Sequence, residues 1–247
     1  MRAYSIPTCD GGLGKNRGCE RAPAALSAKL KIESEIFSLT QGDIEKQHEE
    51  IQEQAIEAFK GKEIPFFIGG THDITFPLFR AFAKTHKNPS LLIFDAHVDS
   101  DQGTSVPTHE DFVRALVEQK IIPAEKIMVV GVRQTYPSEQ DFLVQSGIRF
   151  ILSEVVHSNF SDVEKLVKNF ASKAGSLYVS FDVDCLSNRI MLATHYTPRG
   201  GLLEKEARLL LHATIKHAKA LDLVEFNPTK ITLKEDDLLQ ELFQSLI

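Results

Sequence analysis

The amino-acid sequence predicts an α/β protein, a three-layer αβα sandwich in which helices cover both faces of a mostly parallel β-sheet. Six short apolar runs recur along the 247 residues, rich in β-branched, aromatic or leucine side chains. Such runs are typical of strands that are buried on both faces. Segments with helical periodicity lie between them, and the two kinds alternate with short connections, which predicts right-handed βαβ units.

The expected strands lie, in chain order, in EIPFFIGG, SLLIFDAH, KIMVVGVR, IRFILSEVV, SLYVSFDVD and ALDLVEFNP. The expected helices lie in GDIEKQHEEIQEQAIEAFKG, FPLFRAFAKTH, EDFVRALVEQK, SDVEKLVKNFASKAG and LEKEARLLLHATIKHAKA. In the fourth helix, Ser161 is the expected N-cap, Glu164 completes a capping box and Gly175 suits the end. No linker or internal repeat interrupts the alternation, so residues 1–247 are expected to form a single domain.

Composition excludes several classes of function. The net charge of −6 and the absence of a basic run argue against a nucleic-acid surface. The N-terminus lacks the pattern of a signal peptide, and no stretch approaches the length of apolar residues needed to span a membrane. The three cysteines, Cys9, Cys19 and Cys185, are widely spaced and match no metal or disulfide pattern, which favours a reduced, cytoplasmic protein.

The candidate functional residues lie where the expected strands end. Asp95, His97 and Asp99 follow the apolar run LLIF, and they would share one face if the backbone stays extended. Asp182 and Asp184 follow the same alternation at the end of another strand. In parallel sheets, ligands bind beyond the carboxyl ends of the strands. Converging side chains of this kind are therefore expected to form a site there.

His72, after the Gly69-Gly70 turn, adds an imidazole from a third strand end. Four carboxylates and two imidazoles could not share a buried site without positive charge. Two divalent cations would supply it. Oxygen-rich ligation with some nitrogen and no thiolate favours an ion such as Mn²⁺ over structural Zn²⁺.

The motifs GGTHDIT, DAHVD, GVR, SFDVD and DLVEFNP, in this order, resemble those of the ureohydrolases, the arginase–agmatinase family. The glycine-rich start GGLGKNRGCERAPAAL is also similar, so the resemblance runs from about residue 10 to about residue 230. It implies the arginase-like form of the predicted sandwich. It also implies a homo-oligomer, commonly a trimer or a hexamer.

The resemblance further implies two Mn²⁺ ions in each subunit. The first would be bound by His72, Asp95, Asp99 and Asp182. The second would be bound by Asp95, His97, Asp182 and Asp184, so that Asp95 and Asp182 bridge the two ions. The implied reaction is hydrolysis of a guanidinium group by an activated water, which releases urea and an amine.

The resemblance also assigns catalytic and substrate-binding roles. Glu225 corresponds to the acid that pairs with the guanidinium, for which a planar carboxylate is suited. His109 falls where the family has a histidine that passes a proton to the leaving amine. Asp99, His109 and Glu225 are thus the expected catalytic residues. Arg133, in GVR, is expected to tie a strand end to a carboxylate.

Two departures from the family pattern bear on the substrate. Thr71 and Asp73 stand where the family more often has Asp and Ser, which changes expected neighbours of the ligands. The segment CLSNRIMLATHYTPRGGL is atypical for the family. Its His195 and Tyr196 are larger than the side chains that the family tends to have there, and they are either packing residues or pocket residues. Asp101 would repel a carboxylate and tolerate an ammonium, unless it is only a loop acid. Agmatine, hydrolysed to putrescine, is therefore the favoured substrate over arginine.

Other functions stay open at this point. An arginase, a formimidoylglutamase or a guanidino-acid hydrolase could use the same metal site, and an acidic substrate would need a cation such as Arg189 or Arg199. A zinc deacetylase is disfavoured because no adjacent His-His pair occurs. A catalytically silent metal-binding protein is the alternative from another class, although all six expected ligands are present.

Overall fold

The structure is a computed structural model that describes residues 1–133 and 135–246. Its eight strands form one sheet in the order β2-β1-β3-β8-β7-β4-β5-β6, and every neighbouring pair is parallel. In chain order the strands are β1 Arg2–Ile6, β2 Ser34–Ile36, β3 Pro65–Gly69, β4 Pro89–Phe94, β5 Ile127–Val132, β6 Arg149–Leu152, β7 Ser176–Asp182 and β8 Ala218–Val224.

Nine α-helices connect or follow these strands in the described part of the chain. They are α1 Ala22–Leu30, α2 Ile44–Phe59, α3 Thr75–Thr85, α4 Phe112–Glu118, α5 Pro137–Ser146, α6 Ser153–Ser158, α7 Phe160–Lys173, α8 Glu204–Ile215 and α9 Glu235–Phe243. None of the described helices has both the length and the apolar character required to span a membrane.

Two apolar cores lie on opposite faces of the sheet, because alternate strand residues point to opposite faces. In β4, Leu92 and Phe94 pack into the core formed with α1, α6, α7, α8 and α9. Their neighbours Leu91 and Ile93 pack into the core formed with α2, α3, α4 and α5. The prediction of a sandwich with a parallel sheet is confirmed.

Several details differ from the sequence prediction. β1 and β2 were not predicted, since both are short and β2 is a largely polar strand at the sheet edge. The run IRFILSEVV is a strand only to Leu152 and then forms α6. The predicted cap of α7 is wrong: Asn159 precedes the helix and Ser161 lies inside its first turn. Asn159 alone separates the two helices, so the end of α6 at Ser158 determines where α7 begins.

The strand order brings the motifs together. β3, β8, β7 and β4 are consecutive neighbours at the centre of the sheet, although they are separated in sequence. Phe94 of β4 pairs with Phe181 of β7, so Asp95 and Asp182 follow at the same level. The carboxyl ends of four parallel strands thus meet at one edge, where a ligand is expected.

Candidate metal centre and substrate cavity

The Asp95–Asp99 segment is a loop and not a continuation of its strand, because β4 ends at Phe94. The backbone does not stay extended, so the condition under which its polar residues would share one strand face is not met. Instead, the backbone at Asp99 turns into the left-handed region, with φ of 52°. Asp tolerates this conformation better than most residues do. The turn directs the Asp99 carboxylate back towards His72.

The first cluster forms around His72, which lies in a short 3₁₀ turn after β3. Its Nδ1 atom lies 2.9 Å from Asp95 Oδ2 and 3.0 Å from Asp99 Oδ2. Asp182 Oδ2, at the end of β7, lies 3.4 Å from the same nitrogen. All four side chains are buried, with residue exposures of 9% or less.

A second cluster forms around His97, whose Nδ1 atom lies 3.1 Å from Asp184 Oδ2 and 3.4 Å from Asp95 Oδ1. Asp184 lies in a 3₁₀ turn after β7 and not in the strand itself. Its backbone N–H donates to Asp182 Oδ1 at 2.7 Å, which folds this turn against the strand end. Asp95 belongs to both clusters, with one oxygen facing each histidine.

The His72 side chain has the orientation of a metal ligand. Its Nε2 atom lies 2.9 Å from Ser180 Oγ, and that hydroxyl donates to Asp222 Oδ1 at 2.6 Å. Ser180 has one hydrogen to donate, so it accepts from Nε2, and Nδ1 is left to face the carboxylates. Nδ1 is buried and makes no hydrogen bond with any described residue, despite the short distances. With Nε2 engaged by Ser180, Nδ1 is the nitrogen that would offer a lone pair to a cation among the carboxylates.

The spacing of the donor atoms fits a divalent cation. Donors at adjacent corners of an octahedron with bonds of about 2.1 Å lie about 3.0 Å apart. The separations of 2.9 and 3.0 Å around His72 and of 3.1 Å beside His97 match this value. Asp95 is shared by the two groups of potential ligands. The cluster could thus hold metal, with carboxylate and imidazole ligands and no thiolate.

The electrostatics of the clusters also call for positive charge. Burial lowers the pKa of His72 and His97, but the surrounding carboxylates outweigh it and hold both pKa values above the ordinary value. Burial and the charge of Asp95 raise the pKa of Asp99 to about 7. Burial, with Asp184 and Asp95, raises the pKa of Asp182 as well. Burial and neighbouring carboxylates thus raise the pKa of Asp99 and Asp182, and the carboxylates raise the pKa of both imidazoles. Bound cations would offset this buried negative charge.

Glu225 lies directly after β8 and faces the first cluster from the side. Its Oε1 accepts the backbone N–H of His72 at 2.8 Å, and Asn16 Nδ2 donates to its Oε2 at 2.7 Å. The Glu225 backbone adopts φ of 65°, a left-handed conformation that its neighbours must enforce. Burial opposes ionisation, but these donors and the nearby His109 imidazole lower the pKa of Glu225.

His109 lies on the loop before α4, and its Nδ1 is 3.4 Å from Glu225 Oε1. Burial lowers the pKa of His109, but Glu225 outweighs it and raises this pKa above the ordinary value. His109 Nε2 is buried and has no hydrogen-bond partner among the described residues. One nitrogen therefore faces the carboxylate, and the other is free to exchange a proton with a ligand.

A cavity of about 230 Å³ lies above the clusters. The expected substrate-binding residues Asp101, His109, His195 and Glu225 all line it. Tyr196 also lines it, with its ring centroid 5.2 Å from that of His97, so the atypical segment contributes to the pocket wall. Sequence reasoning missed further lining residues, namely Lys15, Glu110, Tyr136, Glu139 and Thr194. The only sequence signal for Lys15 was its place in the glycine-rich start.

Thr71 and Asp73 form a network next to His72. The Thr71 hydroxyl donates to Asp73 Oδ1 at 2.6 Å, and His48 Nε2 lies 3.1 Å from Asp73 Oδ2. Asp73 lies so close to Gly11 that a Cβ atom there would collide with its carboxylate. The backbone N–H of His109 donates to Gly11 O at 3.2 Å. Asp73 thus supports the N-terminal segment against which the His109 loop rests.

Arg133 has no carboxylate partner among the described residues, so the expected contact with a carboxylate is wrong. Its guanidinium donates to backbone carbonyls instead, to Leu186 O at 3.1 Å, to Gly200 O at 3.0 Å and to Asp184 O. The carbonyls belong to the segment that follows β7, and a planar cation with five donors can satisfy several of them at once. Arg133 therefore fixes both ends of the atypical segment.

We expect Arg133→Met to lower the free energy of unfolding by about 2 kcal/mol, since several charge-assisted hydrogen bonds are lost. In a chain of this size this lowers Tm by about 4 to 8 °C. Thermal unfolding followed by circular dichroism measures the change. Arg189→Met is the matched control, because Arg189 is exposed on the same segment. Equal Tm values for the two variants would contradict the structural role of Arg133.

Comparison with known proteins identifies the family of this chain. A family model described as the arginase family matches residues 6–245. An agmatinase of Neisseria gonorrhoeae is 28% identical over 184 residues, which are 71% of this chain and 57% of that protein. A guanidinopropionase of Pseudomonas aeruginosa is 29% identical over 171 residues, 65% of this chain and 51% of that protein. The matches thus cover about half the length of these relatives.

Among solved structures, an arginase from Bacillus subtilis superposes with a TM-score of 0.86 at 19% identity, over 99% of this chain and 97% of that one. A parallel sheet with a histidine–carboxylate cluster at its carboxyl edge defines an α/β protein with a candidate metal centre. The family model identifies which one: the chain belongs to the arginase family. The resemblance drawn from the motifs is confirmed.

Proposed function

We propose that the protein is a manganese-dependent amidinohydrolase that releases urea from a guanidino substrate, with agmatine as the favoured substrate and putrescine as the amine product. The observation that carries the proposal is the shared Asp95 between two histidine–carboxylate clusters beside a buried Glu225. Family membership supports the same reaction class. This arrangement joins a cation site to a carboxylate that is suited to a guanidinium.

The proposed ligands divide between two Mn²⁺ ions. The first ion is assigned to His72, Asp95, Asp99 and Asp182, and the second to Asp95, His97, Asp182 and Asp184. Bound there, the ions would lower the pKa of a water molecule and polarise the substrate. Oxygen-rich ligation without thiolate supports manganese over structural zinc.

The chain's own residues have separate tasks in this proposal. Glu225 pairs with the guanidinium and fixes its plane against the clusters. Hydrolysis forms a C–O bond at the guanidinium carbon and breaks its bond to the substituted nitrogen, which must gain a proton. His109 supplies that proton through Nε2, the nitrogen that lacks a partner among the described residues. Burial of these side chains limits competition from bulk water.

The cavity mouth supports an amine-ended substrate. Asp101 and Glu110 line the mouth, and Lys15, the one lysine among the described lining residues, forms an ion pair with Glu110. Arg189 and Arg199, the candidate partners for an acidic substrate, are not among the residues that line this cavity. Lys15 is the cation that a guanidino acid would use, so such a substrate remains the second candidate. Cytoplasmic location and assembly into trimers or hexamers remain predictions.

Urea release from the Mn²⁺-loaded protein tests the proposal, with agmatine, arginine and 3-guanidinopropionate supplied at equal concentration. We expect agmatine to give the highest kcat/KM, at least about tenfold above the two acids, because one unfavourable charge contact costs about 1.4 kcal/mol or more. Preference for 3-guanidinopropionate would indicate that Lys15 binds the carboxylate end of the substrate. Urea from none of the three would reject the proposed reaction on these substrates and favour a formimidoyl substrate or a silent protein.

A further inference from the structure

We infer that Asn16 is a positioning residue that sets the orientation of the Glu225 carboxylate, so that the glycine-rich N-terminal segment is part of the active site. The inference rests on the proposed function, in which Glu225 binds the guanidinium. Asn16 is 1% exposed and lies on a loop before α1. Its Nδ2 atom donates to Glu225 Oε2 at 2.7 Å and to Glu225 O at 3.0 Å.

The hydrogen bonds of Asn227 determine which way the Asn16 amide faces. The backbone N–H of Thr229 donates to Asn227 Oδ1 at 3.1 Å, and a backbone amide can only donate. Asn227 therefore presents its Nδ2, which donates to Asn16 Oδ1 at 2.9 Å and to Arg17 O at 2.9 Å. Asn16 Oδ1 must accept, so Asn16 Nδ2 must donate to Glu225.

The two ends of the Glu225 carboxylate are thus held by different parts of the chain. His72 N–H binds Oε1 and Asn16 Nδ2 binds Oε2, which fixes the carboxylate plane before a substrate arrives. Oε1 also has the His109 imidazole 3.4 Å away, whereas Oε2 keeps a second lone pair for an N–H donor of a guanidinium. A carboxylate that is already oriented loses less conformational freedom on binding.

The local backbone is built for this contact. Gly18 has φ of 108°, and a Cβ atom there would lie 2.7 Å from both Asn227 Oδ1 and Thr229 Oγ1. Only glycine therefore lets the loop approach Asn227 closely enough for the amide pair to form. The loop and the residues after β8 form one hydrogen-bonded unit around Glu225.

Asn16→Asp tests the inference with almost no change of shape. The variant keeps an acceptor for Asn227 Nδ2, but it replaces the donor to Glu225 with a second carboxylate oxygen. Asn16→Ala removes both contacts. We expect kcat/KM with the substrate that releases urea to fall about 10-fold in Asn16→Ala and at least about 100-fold in Asn16→Asp, with KM rising more than kcat falls. Manganese content per chain should match that of the unaltered protein.

A purely structural role for Asn16 would give another pattern. It would lower Tm and the active fraction, so kcat would fall while KM stayed constant, and this result would overturn the inference. Arg17→Gln is the control on the same loop, because the Arg17 side chain is exposed, and it should behave like the unaltered protein. Values of kcat/KM within twofold of the unaltered protein for Asn16→Asp would also overturn it.

A crystal structure of Asn16→Asp separates the inference from the proposed function. Should the unaltered protein release no urea, the proposed function fails, and the orientation of Glu225 still decides the role of Asn16. We expect the Glu225 carboxylate to rotate away from residue 16 and to lose or lengthen its bond to His72 N–H. An unchanged Glu225 side chain in that structure would overturn the inference whatever the activity.

Discussion

Asp95→Ala is expected to lose both manganese ions together with urea release. Asp95 is the carboxylate that the His72 and His97 clusters share, with Oδ2 2.9 Å from one imidazole and Oδ1 3.4 Å from the other. Removing it deprives both sites of a ligand at once. Mutating residues that only hydrogen-bond to metal ligands already lowers metal affinity or activity by about 10- to 100-fold. Removing a shared ligand should therefore lower metal affinity by more than about 100-fold. Asp182→Ala should behave alike, as the second proposed bridge.

Metal content per chain, measured by mass spectrometry after dialysis, and urea release are the two readouts. Asp101→Ala is the control for metal content, since Asp101 lines the same cavity and belongs to neither cluster. It should retain the manganese of the unaltered protein. Full occupancy of two ions in Asp95→Ala would contradict the shared-ligand site, even if its activity were low.

Glu225→Gln is expected to lower kcat/KM by about 30- to 3000-fold while metal content stays unchanged. The substitution keeps the size of the side chain but removes the charge that pairs with a guanidinium. Truncating one partner of a buried, hydrogen-bonded charge pair costs about 2 to 5 kcal/mol, which corresponds to that range. Glu225 belongs to neither group of potential ligands, so metal binding has no reason to change.

Steady-state kinetics at saturating Mn²⁺ measures the effect. Glu110→Gln is the matched control, because Glu110 lines the mouth of the same cavity but is solvent-exposed enough to be weakly coupled to a ligand. We expect its kcat/KM to change less than tenfold. A Glu225→Gln variant that retained more than a tenth of the kcat/KM would show that another group recognises the guanidinium.

Together, Asp95→Ala and Glu225→Gln distinguish metal binding from substrate binding. Asp95→Ala should fail in both readouts, whereas Glu225→Gln should fail only in turnover. Asn16→Asp should share the pattern of Glu225→Gln, with kcat/KM lowered and metal retained, since it misorients the same carboxylate. This ordering follows from the distances alone and holds whichever guanidino compound proves to be the substrate.

Much of the fold could be predicted because its strands are buried on both faces. β4 and β7 show this most clearly, because most of their side chains are buried and apolar, and an aspartate directly follows β4 and ends β7. β2 could not be predicted, because an edge strand of three partly exposed residues lacks any hydrophobic pattern. The start of α7 was misjudged because the preceding helix, and not a Ser161 cap, determines it.

The sequence by itself determined the chemistry that is available: carboxylates and imidazoles placed just after buried parallel strands, in the motifs of the arginase family. It could not determine how those groups are aimed. Asp99 reaches His72 through a left-handed turn, and Asp184 reaches His97 through a 3₁₀ turn, not through an extended strand.

Only the tertiary structure placed Asn16 against Glu225, 209 positions away along the chain. The physical reason is that hydrophobic periodicity is local and records which face of a strand or helix is buried. A hydrogen bond between distant side chains leaves no such period. Such a bond depends on the order of strands in the sheet, which brings the carboxyl ends of β3, β8, β7 and β4 to one edge.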